Sequence, residues 1–410
     1  MGRRVVVIGA GQAGHSLAAK LRDLGHSGPI TLIGDEAEIP YQRPPLSKKY
    51  LLGEMTVERL HLKPRRFYAE RNITLVTGER VEAIDRASRE VVTAGRRLGY
   101  DVVALTTGAV PRRLPAAIGG DLAGVYTVRT LADVDAMRPE FAEGRRVLIV
   151  GGGYIGLEAA AVAAQKGLAV TLIEAAPRIL GRVAAPETAE FFRRLHRSNG
   201  VDMREGTGLE RLEGEDGRVA RAVLAGGESL AVDFVVVGVG VDPATALAER
   251  TGLRIENGIA ADQMCRTSDP AIFAAGDCAS FPWRGGRVRL ESVQNAIDMA
   301  EHAANAIHGA TAPYRPVPWF WSDQYAARLQ IAGLNLGYTR TVRRPGTRAG
   351  AESVWYFEGD RFLAVDAMND PKAYMQGKRW LEMGHSPSPA AIADSALDLK
   401  TLAEATQGGR

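Results

Sequence analysis

The chain has 410 residues, 46% hydrophobic and 24% charged, with 51 Lys and Arg against 48 Asp and Glu for a net charge of +3. At about 150 residues per domain there is room for two or three cores, which excludes a small single-site module and a disordered chain. The balanced charge gives no bulk attraction for nucleic acid, and two cysteines without a C-x-x-C pair exclude an iron–sulfur cluster, a structural zinc site and a disulfide framework.

After Met1-Gly2-Arg3-Arg4 the sequence enters a strand at once, so no leader is expected and the expected location is the cytoplasm. The β-branched run Val5 to Gly9 leads into Gly9-x-Gly11-x-x-Gly14, and Leu17, Leu21 and Leu24 at helical spacing predict a helix stopping at Gly25. A second strand, Ile30 to Ile33, ends at Asp35, and a third, Val102 to Leu105, runs into Thr106-Thr107-Gly108-Ala109. Val147 to Ala164 is apolar enough to resemble a membrane span, but Gly151 to Gly153 and Glu158 inside it predict a buried parallel strand turning into a helix, and no membrane partner. The first pattern returns there: Val147 to Val150, Gly151-x-Gly153-x-x-Gly156, a helix to Gly167, and a strand Val170 to Ile173 ending at Glu174. All three glycines are displaced by one common offset.

Further on, Ile272 to Ala275 leads into Gly276-Asp277. This strand and Val102 to Leu105 flank the second repeat, so the first domain is expected to be interrupted by the second and to resume near residue 243. Pro313, Pro316 and Pro318 read as a linker, followed by a crowd of Trp319, Phe320, Trp321 and Tyr325. Strands at Leu329 to Ala332, Ser353 to Phe357 and Arg361 to Asp366 predict a third, α+β domain, and the tail beyond His385 reads as a short surface helix. The expected class is α/β: two Rossmann-like domains and a C-terminal α+β domain. Their boundaries fall at 1–110 with 243–314, at 111–242, and at 315–410.

Each repeat has a chemical purpose. The first glycine permits the tight turn, the second lets the backbone approach a pyrophosphate, and the third allows close helix-to-strand packing, while the helix N-terminus offers N–H groups to the anion. The acid that follows can accept hydrogen bonds from a ribose. Two dinucleotides, or one dinucleotide and FAD, are therefore expected. Asp277 beside Gly276 is placed to reach a ribityl hydroxyl. Seven scattered histidines include no H-E-x-x-H pair, and no metal site is expected.

Tyr41-Gln42-Arg43-Pro44-Pro45-Leu46-Ser47-Lys48, Gly151-Gly152-Gly153-Tyr154-Ile155-Gly156-Leu157-Glu158, Thr267-Ser268-Asp269-Pro270, Ala275-Gly276-Asp277-Cys278, Glu291-Ser292-Val293-x-Asn295-Ala296 and Trp319-Phe320-Trp321-Ser322-Asp323-Gln324 appear in that order. With these segments the chain resembles the FAD-dependent NADH:ferredoxin reductase family, which includes reductase components of aromatic-ring dioxygenases and has a glutathione-reductase-like plan. The resemblance implies FAD bound by Gly9, Gly11, Ala13 and Gly14 at the pyrophosphate, by Asp35 or Glu36 at the adenosine ribose, and by Lys48, Val81, Arg129, Asp277, Val293 and Trp321 elsewhere. It implies Lys48 near the flavin N5 with Glu158 close by, a cation that favours the anionic reduced flavin. It implies NADH held by Gly151, Gly153, Ile155 and Gly156 with Glu174 at the adenine ribose. A carboxylate there repels a 2'-phosphate, although Arg178 and Arg182 follow closely enough to blunt the preference.

Disulfide reductases share this plan but need a redox-active cysteine near the flavin. The corresponding segment, Glu38 to Lys49, has none, and Cys265 and Cys278 read as small buried residues, which also sets aside NADH oxidases and peroxidases of that class. The implied function is passage of electrons from NADH through FAD, one at a time, to a [2Fe-2S] ferredoxin serving a haem monooxygenase or Rieske dioxygenase. A rubredoxin as acceptor is the alternative, as is an interaction flavoprotein similar to apoptosis-inducing factor. Lys63, Arg65 and Arg66, with Arg340, Arg343 and Arg344, are candidates for a face that meets an acidic ferredoxin, with Trp319 and Trp321 near the flavin edge. A monomer or weak dimer is expected.

Overall fold

The computed structural model describes residues 2–404 and divides by packing into two compact units. The first comprises residues up to Gln42, Thr56–Val110 and Val241–Pro316; the second comprises Arg43–Met55, Pro111–Gly240 and the chain from Val317 onward.

In the first unit, five parallel strands lie in the order Ile272–Ala274, Val102–Leu105, Val5–Ile8, Ile30–Ile33, Ile73–Val76. The Val-rich central strands are buried throughout, as a sheet covered on both faces requires. Ile272–Ala274 pairs with Val102–Leu105 across a long excursion of the chain. Gln12–Asp23 packs against Val293–His308, with Leu17, Ala18 and Leu21 on the buried face of the former and Met299, Ala300 and Ala303 on that of the latter. The unit also holds an antiparallel sheet of Val81–Asp85, Glu90–Thr93 and Arg97–Gly99, and a small mixed sheet in which Ala279–Trp283 pairs parallel with Ile259–Ala260 and antiparallel with Gly286–Val288.

The second unit repeats the motif. Its parallel sheet has the order Asp202–Glu205, Ala169–Glu174, Arg146–Val150, Phe234–Val237, Val125–Thr127. The apolar stretch from Val147 is therefore a strand followed by the helix Tyr154–Gln165, and among the described residues no helix is long and apolar enough to cross a membrane. The same unit holds a five-stranded antiparallel sheet ordered Trp319–Gln324, Ala327–Gly333, Arg361–Met368, Glu352–Glu358, Arg340–Pro345.

Two of these strands differ from the sequence reading. The aromatic crowd forms the edge strand Trp319–Gln324, and the basic run forms the strand Arg340–Pro345. The tail also differs from a surface helix. It carries Pro389–Ala393 and Leu399–Glu404, and Ile392 and Leu399 enter the same apolar cluster as Trp355, Phe362 and Trp380. Arg344 secures that tail from a buried position, donating to the carbonyls of Ile392, Asp394 and Leu397. Residues 405–410 of the expected C-terminal domain lie outside the described residues.

Candidate functional site

In the first unit the strand Val5–Ile8 delivers Gly9 at φ +109°, where a Cβ would stand 2.2 Å from the Thr106 carbonyl oxygen. A Cβ on Gly14 would stand 2.0 Å from Gly9 O, yet one on Gly11 would meet no atom within 4 Å. The outer glycines are thus required by the protein's own packing, and the middle one faces open space. Gly11 caps Gln12–Asp23 with no side-chain hydrogen bond and no acid in the first turn, leaving N–H groups for an anion. Gly276, at φ +81°, brings the neighbouring parts together: a Cβ there would lie 3.0 Å from Ala13 Cβ and 3.8 Å from Ala296 Cβ. The N-terminal turns of two helices, one holding Ala13 and the other Val293, therefore converge beside Asp277.

The acidic loop of this unit is exposed at Asp35 and half-buried at Glu36, which accepts the Tyr41 hydroxyl at 2.5 Å. Gly78 N–H donates to Glu36 O and Glu79 N–H to Gly34 O, tying the chain just before Val81 to this loop.

The second unit reproduces the cradle. Gly151 has φ +108° and a Cβ there would lie 2.5 Å from Gly238 O; on Gly156 it would lie 2.0 Å from Gly151 O; on Gly153 it would again meet nothing within 4 Å. Ile155, in the first turn of Tyr154–Gln165, is an apolar side chain 43% exposed. The Glu174 carboxylate accepts Gly152 N–H at 2.7 Å and Ala176 N–H at 2.8 Å, which pins it beside the glycine turn. Arg178 donates to Gly181 O at 3.3 Å, and Arg182 stands near Gly240. These arginines line a cavity of about 240 Å³ with Asn335, Leu336 and Tyr338, a feature with no signature in the sequence.

Register exposes a difference between the copies. Ile8 pairs with Ile33, and Val150 pairs with Ile173, so Glu174 corresponds to Gly34 and not to Asp35. The neighbouring position compensates: Ala10 stands where the second copy has Gly152. A Cβ on Gly34 would come within 2.6 Å of Ala10 Cβ, and one on Gly152 within 3.2 Å of Glu174 Cβ and 2.6 Å of Ile179. Gly34 is kept free of a side chain by Ala10, and Gly152 chiefly by Ile179, with Glu174 a looser second contact.

The second unit also joins Lys48 to Glu158. The lysine ends the short turn Pro44–Ser47 and its Nζ lies 2.7 Å from Glu158 Oε2. Ser47 Oγ donates to the same oxygen at 2.8 Å and Ser322 Oγ to Oε1 at 2.7 Å. Glu158, on Tyr154–Gln165, is 3% exposed, and a buried carboxylate is tolerated only with such donors. Ser47 and Ser322 lay within quoted motifs but carried no role in the sequence reading. Arg129 is half-buried, its N–H donating to Asp133 at 3.2 Å and its carbonyl accepting Arg43 Nη1 at 2.7 Å. Trp321 is half-buried, 5.5 Å from Trp319 between ring centroids; Trp319 itself packs at the edge of the core.

Residues 3–300 match the family model described as pyridine nucleotide-disulphide oxidoreductase, and residues 319–403 match the reductase C-terminal model. The chain belongs to the pyridine nucleotide-disulphide oxidoreductase family. It is 45% identical over 383 residues to the ferredoxin–NAD(P)+ reductase of Sphingomonas sp, covering 92% of both chains. To rhodocoxin reductase of Rhodococcus erythropolis it is 42% identical over 399 residues, covering 97% of this chain and 93% of the other. The solved covalent putidaredoxin reductase–putidaredoxin complex superposes with a TM-score of 0.95 at 39% identity, covering 99% of each chain. The chain is an oxidoreductase of a family that uses FAD and NAD(P)H.

The family's name refers to disulfides, but the thiols of this member are not placed for exchange. Cys265 and Cys278 are free and fully buried, their Sγ atoms directed at the carbonyls of Met299 and of Leu105 and Ala275. Burial raises both thiols above their ordinary range, so neither is a ready thiolate. Among the described residues no His, Cys, Asp and Glu side chains gather into a metal-binding group. Lys63, Arg65 and Arg66 are exposed. The second basic cluster is corrected: Arg344 is buried on tail carbonyls, Arg343 is paired with Glu352, and only Arg340 of the three is left as an exposed cation with no such tie.

Proposed function

We propose that the chain passes electrons from NADH through FAD, one at a time, to a [2Fe-2S] ferredoxin that serves an oxygenase, either a haem monooxygenase or a Rieske dioxygenase. The observation that carries this reading is two glycine cradles, each with an open middle glycine at an uncapped helix N-terminus, in a chain whose two thiols are buried. Two dinucleotide-type ligands fit, and electrons have no cysteine through which to leave. When bound, FAD supplies the exchange between a two-electron hydride donor and a one-electron acceptor.

The chain's own residues do the rest. In this reading Gly9, Gly11, Ala13 and Gly14 receive the FAD pyrophosphate on backbone N–H groups, Asp35 or Glu36 the adenosine ribose, and Asp277 and Val293 the ribityl and pyrimidine end. Lys48, Val81, Arg129 and Trp321 are assigned to the flavin on the family resemblance, with Glu158 holding Lys48. Gly151, Gly153, Ile155 and Gly156 hold NADH, and Glu174 hydrogen-bonds its ribose and repels a 2'-phosphate. The three-domain division, with residues 1–110 and 243–314 for FAD, 111–242 for NADH and 315–410 C-terminal, belongs to the same proposal. Two free thiols favour a reducing compartment, the cytoplasm.

The test is anaerobic. The purified protein is expected to be yellow with one non-covalent FAD per chain, to bleach with NADH, and to reduce a [2Fe-2S] ferredoxin in preference to rubredoxin; the Cys265→Ala/Cys278→Ala double variant is expected to do the same. A colourless protein that cannot be reconstituted with FAD defeats the reading. Preference for rubredoxin reassigns the partner, and loss of ferredoxin reduction in a folded, FAD-loaded double variant restores a thiol mechanism.

A further inference from the structure

A strand places alternate side chains on opposite faces, and Phe320, Ser322 and Gln324 share one face of Trp319–Gln324. Phe320 packs on Tyr154 at 4.8 Å between centroids, Ser322 bonds Glu158, and Gln324 bonds His196 of the helix Pro186–Ser198. Tyr154 and Glu158 are one turn apart on their helix, so this strand face follows the helix face residue by residue. Glu158, His196, Ser322 and Gln324 are all buried, cut off from bulk water, so their polar atoms depend on one another.

The direction of each bond follows from the carboxylate end. Paired with Lys48, the Glu158 carboxylate accepts only, so Ser322 must donate its hydroxyl proton to Oε1 at 2.7 Å. Ser322 Oγ is then the acceptor for Gln324 Nε2 at 3.2 Å. That orientation turns Gln324 Oε1 toward His196 Nε2 at 2.8 Å, and this ring nitrogen must carry the proton. The bare Nδ1 is left to accept the Tyr325 hydroxyl at 3.3 Å. Burial pushes His196 down to about 4, so the ring is neutral as the chain requires, and burial raises Tyr325, so its hydroxyl keeps its proton.

From this geometry we infer that Tyr325, His196, Gln324 and Ser322 form a one-way hydrogen-bond chain ending on Glu158, in which Ser322, Gln324 and His196 are positioning residues for the Lys48–Glu158 pair and the charge at position 158 selects the tautomer of His196. Donors that all point the same way polarise one another. The inference gives a task to Ser322 and Gln324 of the Trp319–Gln324 motif, and its consequence for turnover rests on the flavoprotein reading above.

The Glu158→Gln variant reverses the chain. Lys48 and Ser47 keep an oxygen at the Oε2 position, so the new amide nitrogen falls beside Ser322 and donates to it. Ser322 must then donate to Gln324, whose amide turns over and donates to His196 Nε2, and the ring proton moves to Nδ1.

Long-range nitrogen–proton NMR of histidine-labelled protein reads this directly, with His196 assigned by its loss in His196→Gln. Nε2–H is expected in the wild type, Nδ1–H in Glu158→Gln, and one and the same tautomer in Ser322→Ala and Ser322→Ala/Glu158→Gln. FAD content is measured on each sample, so a protein lacking flavin reports failure of the proposed function while the tautomer is still read. In FAD-loaded protein, Ser322→Ala is expected to lower the limiting rate of flavin reduction about tenfold, as loss of a hydrogen bond to a charged group, while the KM for NADH stays within about twofold. The same change made in Glu158→Gln is expected to add nothing. Nδ1–H in the wild type, an unchanged tautomer in Glu158→Gln, or an equal rate loss from Ser322→Ala in both backgrounds overturns the inference.

Discussion

Glu174 has two tasks at one carboxylate. It accepts Gly152 N–H and Ala176 N–H, holding the glycine turn, and it is the group proposed to meet the adenine ribose. Replacement by Ala is expected to lower kcat/KM for NADH by about 1 to 3 kcal/mol and to raise that for NADPH. Glu174→Gln keeps one acceptor oxygen, so its NADH loss is expected to be smaller; steady-state kinetics with both cofactors measure the two. Asp366 is a different kind of acid. Burial raises it to about 6 from 3.8, against hydrogen bonds from Tyr356 and Thr188 that both reach Oδ2. A folded value above the unfolded one means that stability is fully present below about pH 4 and is lost as the pH rises through about 6. The shift corresponds to an upper limit of about 3 kcal/mol. An Asn at 366 can keep both donors on its single oxygen and carries no charge. Asp366→Asn is therefore expected to raise the melting temperature at pH 8, with the gain shrinking towards pH 4, as scanning calorimetry across that range will show.

The two strand–turn–helix elements allow each glycine's task to be separated by experiment. Gly11→Val and Gly153→Val place their Cβ where no atom beyond the adjoining chain lies within 4 Å, so both are expected to fold with melting temperatures near that of the wild-type apoprotein. Gly11→Val is expected to lose FAD, while Gly153→Val keeps FAD and loses NADH binding. Gly14→Ala and Gly156→Ala would each place a Cβ about 2.0 Å from a carbonyl oxygen and are expected to destabilise the fold itself. Thermal melts with flavin absorbance distinguish the classes. These elements were legible in the sequence because strand, turn and helix each leave a local signature: β-branched runs, spaced glycines and leucines at helical period. Trp319–Gln324 and Arg340–Pro345 were not read as strands. Their alternation mixes tryptophan, serine and arginine, which become one-sided only when a neighbouring strand, helix or tail covers them. Arg344 shows the limit most directly, since nothing local reveals that its guanidinium ends on carbonyls of residues 392–397. The Lys48–Glu158 pairing came from family likeness, while the serines that complete it depend on distant chain segments meeting.

At the scale of the molecule, Lys63, Arg65 and Arg66 form an exposed basic group, the candidate face for the proposed ferredoxin. Electrostatic attraction is screened beyond about 8 Å at physiological ionic strength, so added salt is expected to slow ferredoxin reduction steeply and NADH-dependent flavin bleaching little. Arg65→Glu/Arg66→Glu is expected to lower the rate with ferredoxin and flatten its salt dependence; stopped-flow traces of the two half-reactions measure both. Arg344→Glu is expected to act through stability, releasing the tail and lowering the melting temperature, because a buried charge would then face carbonyl oxygens.

The paired positions Ala10 with Gly34 and Gly152 with Glu174 also constrain how duplicated sites can drift apart. Gly34 cannot acquire a side chain while Ala10 keeps its methyl, because the two Cβ atoms would stand 2.6 Å apart. Ala10→Gly must come first, at an entropic cost of roughly 0.5 to 1 kcal/mol, and only then can an acid enter at 34. The mutational path from the first arrangement to the second therefore has a compulsory order, and the reverse order passes through an intermediate with two crowded Cβ atoms. The constraint is one-sided: it guards the first copy against gaining an acid at 34, whereas loss of the Glu174 side chain from the second copy meets no such barrier.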